Sequence, residues 1–430
     1  MPSVAFHTLG CKVNQYDSQA MLELFEQAGY DVRDFSQPAD VYVVNTCTVT
    51  GTGDKKSLNA VRRALRQNPG AQVVIAGCLA QRDGEKLLAT GARLVIGNAR
   101  RGEVVKLLEE AIEKNEQICA VTDILRASYE PLSISSHEGH TRAVLKIQEG
   151  CDRYCTYCII PYVRGGIRSR KPEDIFREAC TLGQAGFQEL VLTGIHLTSY
   201  GRDLEGKTLL DAVRACDAPG IRRIRLGSLE PVIVTEEFAG ALAGENKVCP
   251  QFHLALQSGS DKTLKRMRRR YTARDFEAAC QLLRRCFPDC AITTDVICGF
   301  PGETEEDFME TLYFCQRIGF ARIHVFPYSA RQGTPAAAMP GQVQKSVREE
   351  RARRLIAVGN ELAQCYRESL IGKEAEVLLE ELSPDGAAVG YTAQYMECRV
   401  PNGAPGKICR VLITGVTDDV LQGKLIETEE

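Results

Sequence analysis

The sequence predicts an α/β protein of three units: a Rossmann-like parallel sheet, a partial (β/α)6 barrel and a small C-terminal β-barrel. Three observations lead there. Strand-like and helix-like patterns alternate over about the first 126 residues and again from Ala143 to roughly Gly359, as βαβ units with parallel sheets do. A Ser-rich polar stretch, about Ala127 to His140, separates the two blocks as a linker. Beyond Glu374, short strands and Gly- or Pro-bearing turns replace helices. The expected units are residues 1–126, 137–368 and 369–430.

In the first unit, strands are expected at Val4–Leu9, Val41–Val44, Val73–Ala76 and Leu94–Gly97, with helices at Asp17–Ala28, Lys55–Arg66 and Glu103–Lys114. Gly29 marks the first helix stop. No Gly-x-Gly-x-x-Gly follows the first strand, so nothing supports dinucleotide binding. The second unit has strand patterns at Val144–Ile147, Leu190–Thr193, Ile224–Leu226, Phe252–Leu256, Ile292–Ile297 and Ile323–Phe326. Such a barrel puts functional loops at the strand C-termini. A charged helix, Ser346–Leu370, leads into four short strands at Val377–Leu379, Ala387–Tyr391, Cys398–Val400 and Val411–Ile413.

Composition narrows the class. The 430 residues are 44% hydrophobic and 25% charged, as in a globular protein with a large core. The net charge of −3 excludes a uniformly basic nucleic-acid binder, so any such surface must be a local patch. No apolar run reaches the ~18 residues of a membrane span, and the N-terminus lacks the plan of a secretion signal. A cytoplasmic location is therefore expected, and there thiols stay reduced. Eighteen cysteines are then ligands, catalytic groups or small buried residues rather than a disulfide scaffold.

Cys151, Cys155 and Cys158 follow the first barrel strand with C-x3-C-x2-C spacing. Three thiolates on one short loop can reach three corners of an iron–sulfur cube and leave the fourth iron open to a substrate. A zinc knuckle or electron-transfer cluster would want a fourth ligand, and no Cys or His follows until Cys180. Cys11, Cys47 and Cys78 each stand one or two residues past an expected strand. In a parallel sheet those strand ends share one edge, where ligands bind. The competing reading is of small apolar residues after strands. The remaining twelve cysteines are assigned to packing, including Cys286 and Cys290, whose metal-like spacing has no third ligand nearby.

Both triplets, with Ile159-Ile160-Pro161, Arg164-Gly165, Arg168-Ser169-Arg170, Leu192-Thr193-Gly194, Gln257-Ser258-Gly259-Ser260, Thr294 through Thr304 and Phe326-Pro327-Tyr328-Ser329, closely resemble the methylthiotransferase family of radical S-adenosylmethionine enzymes. The resemblance covers nearly the whole chain, and the tail from about Leu370 resembles a TRAM domain. It implies a radical S-adenosylmethionine barrel and two 4Fe–4S clusters, with Cys151, Cys155 and Cys158 catalytic and holding the cluster that cleaves S-adenosylmethionine to a 5′-deoxyadenosyl radical. Cys11, Cys47 and Cys78 would hold a second cluster for sulfur delivery. Tyr157 stands where such enzymes contact adenine, and Gly194, Ser228, Glu230 and Gln257 are candidate S-adenosylmethionine neighbours. For these four ordinary loop structure competes, and the Gly299–Glu303 turn reads equally as tight backbone before a helix.

The family modifies adenosine 37 of tRNA or an aspartate of a ribosomal protein. His7-Thr8-Leu9-Gly10-Cys11-Lys12-Val13-Asn14 and Lys146-Ile147-Gln148-Glu149-Gly150-Cys151 are similar to the branch acting on N6-threonylcarbamoyladenosine. The isopentenyl-adenosine branch has Gln-Met, and the ribosomal branch Pro-Lys, where Lys12-Val13 stand here. A non-catalytic iron–sulfur RNA-binding or redox-sensing protein is the alternative from another class. The partners implied are tRNA, through an anticodon-loop adenosine, and an electron donor such as flavodoxin or ferredoxin, with no membrane and a monomer as the simplest assembly. A basic run from Lys262 to Arg274, with Lys265, Arg266, Arg269 and Arg270 foremost, is the candidate phosphate-binding surface. A solvated helix face is its bland alternative. The tail is more acidic than basic, so RNA contact there would need a local face such as Lys373, Arg399, Lys407 and Arg410.

Overall fold

A computed structural model describes residues 1–137 and 139–428. The first unit is a six-stranded, all-parallel sheet ordered β2-β1-β3-β4-β5-β6. Its strands are β1 (Ser3–Thr8), β2 (Asp31–Arg33), β3 (Val41–Thr46), β4 (Gln72–Gly77), β5 (Leu94–Ile96) and β6 (Ile118–Ala120). The two strands missed in sequence, β2 and β6, are three residues each at the sheet's edges, too short for a readable pattern. Val43, Val44, Val74 and Ile75 are completely buried between helix layers on both faces, as a parallel sheet requires.

The second unit supplies β7 (Arg142–Glu149), β8 (Arg168–Ser169), β9 (Glu189–Gly194), β10 (Arg223–Leu226), β11 (Ser228–Leu229), β12 (Gln251–Leu254), β13 (Ala291–Cys298) and β14 (Arg322–Pro327). They pair as β10-β9-β7-β8 and β11-β12-β13-β14, so the third barrel strand is split at Gly227. Residues such as Leu190, Leu192, Phe252, Leu254 and Val296 point outward into the helix layer and form the largest core. Their alternates, including Arg225, His253, Asp295 and His324, face the lumen. The edge strands β8 and β14 are not paired with each other.

The helix Lys12–Gln27 belongs to both units. It begins five residues before the expected Asp17 because Cys11 occupies its N-cap without a capping side chain, a start that residue type does not advertise. Its polar residues Asn14, Asp17, Gln19 and Glu23 are buried against the barrel unit. There Arg101, Lys146 and Arg164, each at most 1% exposed, meet Asp17 and Glu149 in one buried network. The stretch read as a linker is tied down too. Glu23 accepts from the Ser135 and Ser136 amides at 2.9 and 3.1 Å, and Tyr16 donates to the Leu132 carbonyl at 2.8 Å.

The third unit is a closed barrel, β15-β16-β17-β19-β18. Its strands are β15 (Glu374–Leu382), β16 (Ala388–Thr392), β17 (Glu397–Val400), β18 (Ile408–Thr417) and β19 (Val420–Thr428); the fifth is additional to the four expected. The turn after β16 docks under the larger barrel. Arg225 donates to the Ala393 carbonyl at 2.9 Å and Arg142 pairs with Glu380 at 2.8 Å; Arg142 lies over the stacked Tyr391 and Tyr395 rings, and Arg225 over Tyr395.

Candidate active site

Cys11, Cys47 and Cys78 follow β1, β3 and β4, three adjacent parallel strands, and so share one sheet edge. Two glycines make the approach possible. Gly10, at φ 108°, lies so near Cys47 that an added Cβ would stand 3.1 Å from its Sγ. Gly77, at φ 90°, has space for no Cβ at all, since one would fall 2.3 Å from Asn45 Oδ1. Desolvation pushes the Cys11 thiol up, with Cys78 adding to the shift, and burial pushes the Cys47 thiol up to about 11, with Cys78 and Cys11 adding to it. Arg164 donates to Cys78 Sγ at 3.3 Å.

The second triplet sits on the loop after β7. Gly150, at φ 72°, presses against Gly166, whose carbonyl would be 1.7 Å from an added Cβ. The Cys151 amide donates to the Gly165 carbonyl at 2.9 Å, and Thr156 is bonded to Arg266, Met267 and Ala336. Burial pushes the Cys151 thiol up to about 11 and Cys158 up to about 12, each raised further by Cys155. Arg269 donates to Cys155 Sγ at 3.3 Å. Each triplet thus has one buried guanidinium against one sulfur.

Glu230 is the hub of the barrel mouth, with His196 at 3.2 Å, Arg153 at 3.1 Å and Arg269 at 3.0 Å. Against the desolvation that would raise it, these partners hold its carboxyl down to about 2. Ser228 is exposed at the same mouth, and Gly194 leaves no space for a side chain beside Gln148. Gln257 takes φ 68° and is held by amide bonds with Asp295 and Ile297. Tyr157 packs edge-on to Phe300 in a small apolar cluster with Met267 and Tyr328.

The donor sets fit iron–sulfur clusters. Among the described residues, no three Cys, His, Asp or Glu side chains converge on a single ion. Each triplet offers three free thiols, the ligand type that such clusters take.

Three family models match: "Uncharacterized protein family UPF0004" over residues 3–97, the radical SAM superfamily over 145–315, and the TRAM domain over 368–426. A Bacillus subtilis protein named threonylcarbamoyladenosine tRNA methylthiotransferase MtaB is 43% identical over 440 residues, covering 100% of this chain and 98% of its own. One of the same name from Aquifex aeolicus is 40% identical, covering 95% and 100%. A Pelotomaculum thermopropionicum tRNA-2-methylthio-N(6)-dimethylallyladenosine synthase is 35% identical, covering 94% of each chain.

The chain belongs to the radical S-adenosylmethionine methylthiotransferase family. It is an enzyme of that class, and the family's cofactors are S-adenosylmethionine and 4Fe–4S clusters. Its fold is shared with the radical S-adenosylmethionine methyltransferase TsrM from Kitasatospora setae, at TM-score 0.56 and 15% identity, covering 78% of this chain and 75% of that one. Among the described residues no helix is long and apolar enough to cross a membrane.

The methylthiotransferase structure corrects the basic run. Arg269 leaves only 6% of its side chain exposed and is bound to Glu230 and Cys155, so it lines the site and is not available to phosphates. Arg266 is half-buried and paired with Asp307 at 2.9 Å, whereas Lys265 and Arg270 are exposed. On the small barrel, Lys373 pairs with Asp289, Arg399 with Asp385 and Arg410 with Glu374, which neutralises three of the four cations expected to touch RNA. The Gly299–Glu303 turn is structural: Glu303 ties the Gly299 amide to Arg351, and Thr304 caps the next helix. Arg153, His196 and Arg164 are site residues that sequence reading did not assign. Only the Arg164-Gly165 motif hinted at one of them.

Proposed function

We propose that this enzyme installs a methylthio group on N6-threonylcarbamoyladenosine at position 37 of tRNA. The observation carrying the substrate is the full-length likeness to four relatives named for that nucleoside, two at 43% and 40% identity and two at 35% and 34%, the dimethylallyl relatives standing at 35% and below. In this reading Cys151, Cys155 and Cys158 hold one cluster and Cys11, Cys47 and Cys78 the other. When bound, the first supplies the electron that cleaves S-adenosylmethionine to a 5′-deoxyadenosyl radical, and the second supplies sulfur. A radical is needed because an aryl C–H bond offers a side-chain base no removable proton at neutral pH.

The protein's own part is positioning. Gly150 and the amide bonds on Thr156 set the loop, and the Arg269–Glu230 pair keeps a guanidinium beside Cys155. Tyr157, Gly194, Ser228, Glu230 and Gln257 border the S-adenosylmethionine position at the barrel mouth. Exposed Tyr154 and Tyr162, beside the same loop, offer faces for an unstacked base, while Lys265 and Arg270 meet phosphates. Acting on tRNA places the enzyme in the cytoplasm, with a flavodoxin- or ferredoxin-type donor supplying electrons.

Nucleoside mass spectrometry of tRNA from cells lacking the protein tests the substrate. The 2-methylthio form of threonylcarbamoyladenosine should vanish; an unchanged profile refutes the reading, and a mass change on a ribosomal protein would favour the protein-modifying branch. Cys155→Ala should abolish 5′-deoxyadenosine formation. Cys47→Ala should keep it while stopping methylthio insertion, and equal loss of both would remove the division of labour. Reconstituted protein should carry about eight irons, as two cubane clusters require.

A further inference from the structure

Below the two thiol triplets the barrel lumen is polar. The side chains facing it at mid-height are His253, Thr293, Asp295 and His324, and they are interlinked: His253 bonds Thr293 at 3.0 Å and Asp295 at 3.2 Å, and its ring lies 5.9 Å from that of His324. The side chains of His253 and Asp295 keep 18% and 31% of their surface accessible, so solvent reaches this polar lining of the lumen. Its floor is closed by the turn carrying Tyr395.

Lys12 enters this space from the side, next to Cys11, with its ammonium 5.9 Å from the Tyr395 ring. It stands where all three units meet. The carboxylates around it are already taken. Glu189 pairs with Arg225 at 2.7 Å, Glu380 with Arg142 at 2.8 Å, Glu376 with Arg223 at 3.4 Å, and Asp295 with His253. Among the described residues no acid lies within ion-pair distance of Lys12; its charged neighbours are Arg225, Arg142 and Glu189, the last already bound to Arg225. An accessible cation without an ion-pair partner, on a polar lining beside the Cys11 triplet, is suited to receive an anion.

We infer that this pocket reads the N6 substituent of the target base, with Lys12 binding its carboxylate. The inference rests on the substrate reading above and explains it physically. A threonylcarbamoyl group brings a carboxylate, a hydroxyl and a urea, each with a partner available in such a pocket. A dimethylallyl group is hydrocarbon and would leave those polar groups desolvated and unpaired.

The test uses reconstituted full-length enzyme and anticodon stem-loop RNA carrying threonylcarbamoyladenosine as the free acid or as its methyl ester. Wild type should bind the acid about 10- to 100-fold more tightly than the ester, the range for a hydrogen bond to a charged group. Lys12→Met should lose that preference, and Lys12→Arg should recover part of it, a double-cycle result that a merely structural lysine would not produce. Iron content is measured for each variant because Lys12 adjoins Cys11; the wild-type comparison of acid and ester stands without them. Equal affinity of wild type for acid and ester overturns the role of Lys12, as does an undiminished preference in iron-loaded Lys12→Met. Methylthiolation of dimethylallyl RNA in place of threonylcarbamoyl RNA would instead refute the substrate reading itself.

Discussion

At Arg164 one guanidinium serves Glu149 at 2.7 Å, Asp17 at 3.2 Å, Asn14 and the Cys78 sulfur, with no part of its side chain in solvent. Against the desolvation that would raise them, Arg164, Arg101 and Lys146 hold the Asp17 and Glu149 carboxyls below the usual range. Removing one partner from such a network leaves buried charge uncompensated. Arg164→Gln should therefore cost about 3–5 kcal/mol in urea unfolding of the cluster-free protein, and iron bound per chain should fall with it. Glu230 makes a pH prediction. Its carboxyl is depressed from 4.5 to about 2, so its contribution is complete above pH 4.5 and disappears as pH falls toward 2. Wild type should lose more stability than Glu230→Gln across that window, read from denaturant midpoints at successive pH values. Parallel curves would show that the three cations do not act through this carboxylate.

Among elements, the helix Asp261–Arg266 and the turn after it show how one basic run divides by direction. Arg269 turns inward because Cys155, Tyr271 and Glu230 accept its donors; Lys265 and Arg270 point outward. A pattern of charge along a chain carries no record of which residue a turn will aim at a cavity. The double reversal Lys265→Glu with Arg270→Glu should weaken tRNA binding at least tenfold at low salt and lower the salt dependence by about two phosphate contacts. Filter binding over a salt series measures both. An unchanged slope would place the tRNA elsewhere.

For the whole molecule, the small barrel is a structural floor as well as a candidate RNA contact. Its turn at Thr392–Ala393 supplies carbonyls to Arg225, a residue 1% exposed. A chain ending at Glu368 would leave Arg223 and Arg225 short of acceptors and uncover the lumen from below. Its melting temperature should fall by about 5 °C or more. An unaltered melting temperature would mean the docking is energetically idle.

The α/β fold class with its small C-terminal barrel and the family were legible in the chain itself, because strand-and-helix periodicity and C-x3-C-x2-C spacing are local properties. Cys11, Cys47 and Cys78 needed one further step, that parallel strands end on a common edge, and the sheet order of β1, β3 and β4 makes them neighbours. What tertiary structure alone decided is the chemistry around them. That Arg164 reaches Cys78, that Arg269 abandons the surface for Cys155, and that Lys12 keeps an unmatched charge over the lumen all join residues from different units. Long-range ion pairing depends on which charges packing has already neutralised, and no sequence window contains that information.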